Sequence, residues 1–314
     1  MKTGIISYST SDNLGDYIQT IAVEQLLREK ATHFDREMLH LNPEKEYKLL
    51  INGWFMEQPT HWPPHPRFTP LFFSFHLNPT AEDHLLTPEG VAYFQKHQPI
   101  GCRDHYTRKK LQKHGIEAYF SACVTLGLSQ SQLKTESNKP PSILVLSAFE
   151  RLGSMGKALD RKSGGGWQRL KAAYNRFRFS KAHKRLNAFL NQVDAPVLYR
   201  SQILPPSSLT PAERFEKAQE QLAVIAQARL VITSRIHTAL PAVAMGTPVL
   251  FLTDGLEHPN QSSRLEGLSQ FFTCINSNQL KTIDWETLEN PQNPEPYVAK
   301  MKEKVNQFLE TDKK

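Results

Sequence analysis

Short apolar runs alternating with helix-periodic stretches constrain this chain more than any other feature. Gly4 to Tyr8 is one such run; the polar turn STSDNLGD follows, and from Tyr17 to Lys30 the residues Ile18, Ile21, Ala22, Gln25 and Leu26 recur at helical spacing. Lys48 to Phe55 (KLLINGWF) and Leu71 to Phe75 are short, apolar and bounded by turn residues, as buried parallel strands are. Between them the prolines of EQPTHWPPHPRFTP exclude regular structure. Pro99 to Arg103 then reads as a strand, Asp104 to His114 as a helix and Ala118 to Phe120 as a strand. This order predicts a mostly parallel sheet covered by helices.

The alternation stops at the polar stretch Ser129 to Ser142, which ends in Pro140 and Pro141 and reads as a linker. It resumes with strands at Ile143 to Ser147, Val197 to Tyr199, Leu230 to Thr233 and Pro248 to Leu252. A long helix is announced by Thr210, Pro211 and Glu213, the order of a capping box with proline in the first turn. No internal repeat is visible. At 314 residues the chain has room for two α/β domains, residues 1–135 and 142–290, with a last helix in 291–314 able to pack on either. Two such halves face a cleft, and ligands of these sheets bind beyond the carboxyl ends of the strands.

Three cysteines without a CxxC pair argue against a disulfide framework and a structural zinc site. The apolar stretch at the N-terminus is far shorter than a signal-peptide core, and Ala239 to Leu252 is interrupted by Gly246, Thr247 and Pro248, so no membrane span is expected. A cytoplasmic protein follows.

The segment LVITSRIHTALPAVAMGTPVLFL, Leu230 to Leu252, carries the most chemistry. Its strand ends at Thr233 and its helix begins near Ile236, so Ser234, Arg235 and His237 fall at a helix N-terminus. Free N–H groups, the positive helix end and a guanidinium make an anion site, and an imidazole beside them suits acid–base work near neutral pH. The same four residues equally describe an arginine capping a carbonyl and a core histidine. In IGCRDHYTRKKLQKHG, Arg103 falls at a strand end and Asp104 at a helix start, where a carboxylate caps. His105 and His114 read as solvated. In the first loop Gly15 permits a tight turn, Asn13 tolerates unusual backbone angles, and Asp16 resembles an N-cap that would also serve as a base toward a sugar hydroxyl. Trp54, Trp62 and Phe68 are either sugar-stacking or core aromatics. No motif gives a metal ligand set, and SGGGW, Ser163 to Trp167, lacks the spacing of a phosphate loop.

Together, NLGDYIQT, LLINGWF, GCRDHYTRKKLQKHGIEAYFSACVTLGL and VITSRIHTALPAVAMGTPVLFL followed by SSRLEGL resemble the polysaccharide pyruvyl transferase family, in its order and over roughly residues 3 to 270. The stretch from Glu150 to Arg185 matches nothing in that pattern. The resemblance implies two Rossmann-like domains facing a cleft, similar to the GT-B glycosyltransferase fold. It implies transfer of the enolpyruvyl group of phosphoenolpyruvate to a sugar, or to a lipid-linked oligosaccharide, of a cell-surface glycan, forming a pyruvate ketal without metal or cofactor. Arg103, Ser234, Arg235, His237 and Arg264 become donor ligands, His237 the general acid, and Asn13, Gly15, Asp16 and Trp54 the acceptor side, with Asp16 as base. A GT-B glycosyltransferase using a nucleotide sugar, with Glu257 at a ribose, is a competing reading, as is a noncatalytic binder of glycan or nucleic acid.

The formal charge of +7 decides part of this. Residues 151–185 hold eleven Lys and Arg and one Asp, leaving 27 basic and 30 acidic residues elsewhere. Nucleic-acid binding is disfavoured by that segregation. A solvated segment, or docking to an anionic acceptor or the inner face of the membrane, fits it.

Overall fold

In the computed structural model residues 1–133, 142–150, 152, 166–205 and 209–311 are described. Most of the linker, and the cationic segment before Gly166 apart from Leu152, lie outside them. The first sheet contains β1 (Lys2–Ser7), β2 (Thr32–Asp35), β3 (Tyr47–Phe55), β4 (Phe68–Leu77), β5 (Ile100–Cys102) and β6 (Ala118–Phe120), in the order β2-β1-β3-β4-β5-β6. The second contains β7 (Ser142–Leu146), β8 (Val197–Arg200), β9 (Ala228–Thr233), β10 (Val249–Leu252) and β11 (Thr273–Ile275), in the order β8-β7-β9-β10-β11. Every pairing within the two sheets is parallel.

Both sheets therefore place their second strand outside the first and add the later strands on the other side. The repeat that the sequence hides is one of topology. Its consequence is a switch point in each half, between β1 and β3 and between β7 and β9, where the connections leave in opposite directions and open a crevice. Eight of the nine residues of β3 are buried, because helices cover both faces of the sheet. The edge strand β2, THFD, is short and polar, and β11 has three residues; neither carries an apolar run for the sequence to show. Leu71 to Phe75 proves to be the middle of the longer β4, which runs on through His76.

The capping box at Thr210 forms as expected and starts the helix Pro211–Ala226. Asn13, not Asp16, caps the first helix, Leu14–Leu26, so Asp16 sits in its first turn. Trp62 and Phe68 are core aromatics: Trp62 stacks on Phe94 at 5.1 Å, and Phe68 is buried against Phe34. His105 is packed rather than solvated, its ring 4.5 Å from Phe120 and its backbone N–H on Glu266 O.

The final helix, Glu295–Glu310, crosses back to the first half. Met301 and Val305 join the first core, and Lys48 Nζ donates to Phe308 O at 2.8 Å. Its position ties the end of the chain to its beginning, so the helix contributes to both halves' stability. Met301→Ala is expected to cost about 2–5 kcal/mol, because the side chain is 3% exposed and its loss leaves a cavity at that joint; urea unfolding monitored by circular dichroism measures it.

Candidate functional site

The two halves meet at the carboxyl ends of their strands. Asn13 Oδ1 accepts from Gly15 N at 3.1 Å, capping the first helix, and from Gln202 Nε2 at 2.7 Å, reaching the second half. Leu14 N donates to Gln202 O and Leu204 N to Asp12 O, while Thr238 Oγ1 donates to Gln202 Oε1. A Cβ on Gly15 would stand 2.5 Å from Gln202 Nε2 and 2.9 Å from His237 Cβ. Gly15 is thus required by close approach and not by a turn, and Asn13 has ordinary extended backbone angles.

On the second half, β9 hands over to the helix Ile236–Ala244. The Ser234 hydroxyl donates to Leu252 O at 2.8 Å and accepts from Phe149 N, which joins the ends of β7, β9 and β10. Arg235 makes no side-chain cap; its guanidinium pairs with Glu150 Oε2 at 2.7 Å. Burial alone would raise the Glu150 carboxyl, but hydrogen bonds from Arg235 and Ser201 outweigh it and hold the group below its usual range. Arg235 and Glu150 thus face each other across the β7/β9 crevice.

His237 is buried and its Nε2 has no hydrogen-bond partner among the described residues. Burial first, then the charges of Arg103 and Arg264, push this imidazole well below its ordinary pKa. The histidine expected to titrate near neutrality is therefore a neutral base in this structure, because it is buried and arginines stand around it. A bound anion offsets those charges and lets it take up a proton.

The first half supplies Arg103, which is fully buried. Among the described residues none of its three guanidinium nitrogens has a hydrogen-bond partner, and the nearest carboxylate, Asp104 Oδ2, is 3.7 Å away. Asp104 caps the helix His105–Lys113 as expected, Oδ1 accepting from Thr107 N, while Oδ2 meets His76 Nδ1 at 2.5 Å. An enclosed guanidinium with so little compensation is costly, and it is where an anion is most strongly favoured. Arg264 lines a polar pocket together with Asn13, Gln202, Ser234, Arg235 and His237. Only about 20 Å³ there is open to the centre of a water-sized sphere, so an organic anion enters only as side chains move aside.

Asp16 faces a different space. Its Oδ2 accepts from Ser11 Oγ at 2.5 Å, and burial raises its pKa against the opposing effects of Arg36 and that hydrogen bond. The cavity it lines is about 380 Å³ and holds Asp12, Asp35, Glu37 and Glu57 against Arg36. Arg36 lies 5.1 Å over the rings of both Tyr8 and Trp54, so the ring offered for sugar stacking gives one face to a guanidinium. The structure brings Arg235, His237, Ser234, Arg264, Asn13 and Gly15 together, sets Asp16 on the acidic cavity and leaves Trp54 against Arg36. Sequence reasoning missed His76, Glu150, Gln202 and Arg36; for His76 the signal was a histidine inside an apolar strand run, FFSFHL.

Arg103→Met is expected to raise stability by about 1–2 kcal/mol in phosphate-free buffer, since it removes a buried charge that lacks hydrogen bonds. The same variant loses the stabilisation that added phosphate gives the wild type. Differential scanning calorimetry with and without phosphate reads both effects, and destabilisation by the substitution in phosphate-free buffer would show that Arg103 is compensated by the protein itself.

A family model of polysaccharide pyruvyl transferase matches residues 13–254, most of the chain. No curated protein sequence matches it. Among solved structures, a protein of uncharacterised function from Klebsiella pneumoniae subsp. pneumoniae NTUH-K2044 matches 88% of this chain and 93% of its own at 10% identity, with a TM-score of 0.50. The UDP-GlcNAc 2-epimerase of Methanocaldococcus jannaschii, solved with UDP-GlcNAc and UDP, covers 98% of this chain and 100% of its own at 10% identity and a TM-score of 0.46.

Proposed function

The chain belongs to the polysaccharide pyruvyl transferase family, and from that premise we propose that it transfers the enolpyruvyl group of phosphoenolpyruvate to two hydroxyls of a sugar in a cell-surface glycan. The observation that carries this reading is the contrast between two neighbouring spaces. One gathers cationic groups, Arg235 and Arg264 on the pocket and the enclosed Arg103, around a neutral imidazole. The other is rich in carboxylates and hydroxyls. A donor with a carboxylate and a phosphate on one carbon fits the first, and a polyhydroxyl acceptor fits the second.

In this mechanism Arg103, Arg235 and Arg264 bind the donor's anionic groups. Their neutralisation lets His237 hold a proton, which it delivers to the methylene carbon and so forms an oxocarbenium-like centre. Asp16, at the border of the acidic cavity, receives the proton of the attacking hydroxyl. The nucleotide-sugar alternative has less support: Glu257, its candidate ribose ligand, is engaged by Arg178 and by Gly255 N.

Incubation with phosphoenolpyruvate and a glycan panel is expected to release phosphate and add a pyruvyl mass to one acceptor. Thermal stabilisation by phosphoenolpyruvate, and none by nucleotide sugars, accompanies it. His237→Ala keeps the melting temperature and loses turnover; wild-type turnover in that variant removes His237 from the mechanism.

A second surface bears on where the acceptor is met. In the helix Gly166–Leu190, Ala172, Ala182, Leu186, Phe189 and Leu190 are buried, while Leu170, Tyr174 and Phe177 stand 65%, 61% and 62% exposed. Their spacing puts all three on one outward face, which Lys181 and Lys184 continue and Arg169 and Arg176 flank. Apolar rings among cations complement the headgroup layer of an anionic bilayer, at about 1 kcal/mol per charge. No helix among the described residues is long and apolar enough to cross a membrane, so the contact proposed is a peripheral one. Vesicle cosedimentation is expected to favour anionic over neutral lipid and to weaken when Leu170, Tyr174 and Phe177 are all changed to Ser. Equal binding to both lipids, or capture only by heparin or nucleic acid, excludes the bilayer as the partner.

A further inference from the structure

When the bond between carbon 2 of phosphoenolpyruvate and its phosphate oxygen breaks, that oxygen takes the bonding pair. It becomes a poor leaving group unless a proton reaches it. His237 is assigned to the methylene carbon, so a second proton donor is required near the phosphate.

His76 lies near the end of β4 and is fully buried. Its Nδ1 is 2.5 Å from Asp104 Oδ2, and its Nε2 has no hydrogen-bond partner among the described residues. Asp104 is itself fixed by Thr107 N at the start of its helix, so the carboxylate holds the ring in one orientation. β4 and β5 are neighbours with Phe75 opposite Cys102, and Arg103 N donates to Phe75 O; His76 and Arg103 are thus the next residues along two adjacent strands. At one place the fold encloses an unpartnered imidazole nitrogen and an unpartnered guanidinium. Buried polar atoms are nearly always satisfied, and such clustered exceptions mark a site that a ligand completes.

We propose that His76, oriented by Asp104, gives its proton to the phosphate oxygen as it leaves, while Arg103 holds the phosphate. This rests on the phosphoenolpyruvate reading above. The charged and titratable groups around the ring are Asp104, Arg103, Arg264, His237 and Tyr106, whose ring centroid is 6.5 Å away. Burial first, with Arg103 and Arg264, overcomes Asp104 and brings His76 down to about 4, so the ring is neutral. A phosphate dianion against Arg103 offsets the arginine charges and adds its own negative charge to that of Asp104, and together these work against burial to favour the imidazolium. Donor binding therefore loads the proton that the departing oxygen later takes. The balance closes: the methylene carbon gains one proton, the oxygen leaves as hydrogen phosphate with the second, and the two sugar hydroxyls bond to carbon 2 and release two.

His76→Asn keeps an amide N–H for Asp104 but carries no titratable nitrogen. Calorimetric titration of phosphoenolpyruvate in two neutral buffers of different ionisation enthalpy is expected to show that wild type takes up about one proton more than the variant. Phosphate release in the variant falls by about 100-fold or more while the donor still binds. If phosphoenolpyruvate does not bind wild type, the donor reading fails and takes this proposal with it. If it binds and the variant matches wild type in proton count or in phosphate release, the role of His76 is wrong and the donor reading stands. Nitrogen-15 spectra of wild-type histidines give an answer even if the variant unfolds: a His76 ring that stays neutral with donor bound overturns the proposal.

Discussion

The contact between Gly15 and the second half is the constraint on which the site depends. Because no Cβ stands between them, the first helix can bring its N-terminus against His237 and Gln202. Asn13, Gln202 and Thr238 then link the halves by hydrogen bonds. Each half ends its strands in polar and charged groups, and the close approach sets the polar pocket at His237 beside the acidic cavity at Asp16. The last helix, anchored under Lys48, and the contact of His105 with Glu266 hold the same geometry from elsewhere.

Charge is distributed unevenly across that cleft. Arg103 is enclosed with little compensation, while Arg235 is balanced by the Glu150 carboxylate. A few residues away, the Asp16 cavity carries an excess of acid. An anion is therefore drawn to one side and repelled from the other. Burial first, and then Arg103 and Arg264, hold the imidazoles His237 and His76 below their ordinary pKa, so an anion placed against those arginines favours the protonated rings.

Much of the fold was legible because buried parallel strands leave apolar runs and helix starts leave caps; β3, β9 and the Thr210 helix were all found from such signals. The short edge strands β2 and β11 were not, since an edge strand need not be apolar. The S-R-x-H and GCRD segments announced cations at strand ends. Their partners were silent, because Glu150 meets Arg235 across 85 residues and Gln202 meets Asn13 across 189. Asp16 was misread as a cap because any Asp near a helix start looks like one, and the choice of Asn13 depends on which residue leaves the helical backbone region.

The sequence by itself determined two α/β halves, the strand-to-helix junctions and the cations placed on them, since these follow from local periodicity and capping. Only the tertiary structure decided that Arg103 lacks hydrogen-bond partners, that His237 is neutral, that Gly15 serves an approach and that His76 stands beside Arg103 with its second nitrogen open. Those are properties of what surrounds a side chain, and in a parallel sheet with long crossovers the surroundings come from residues far along the chain.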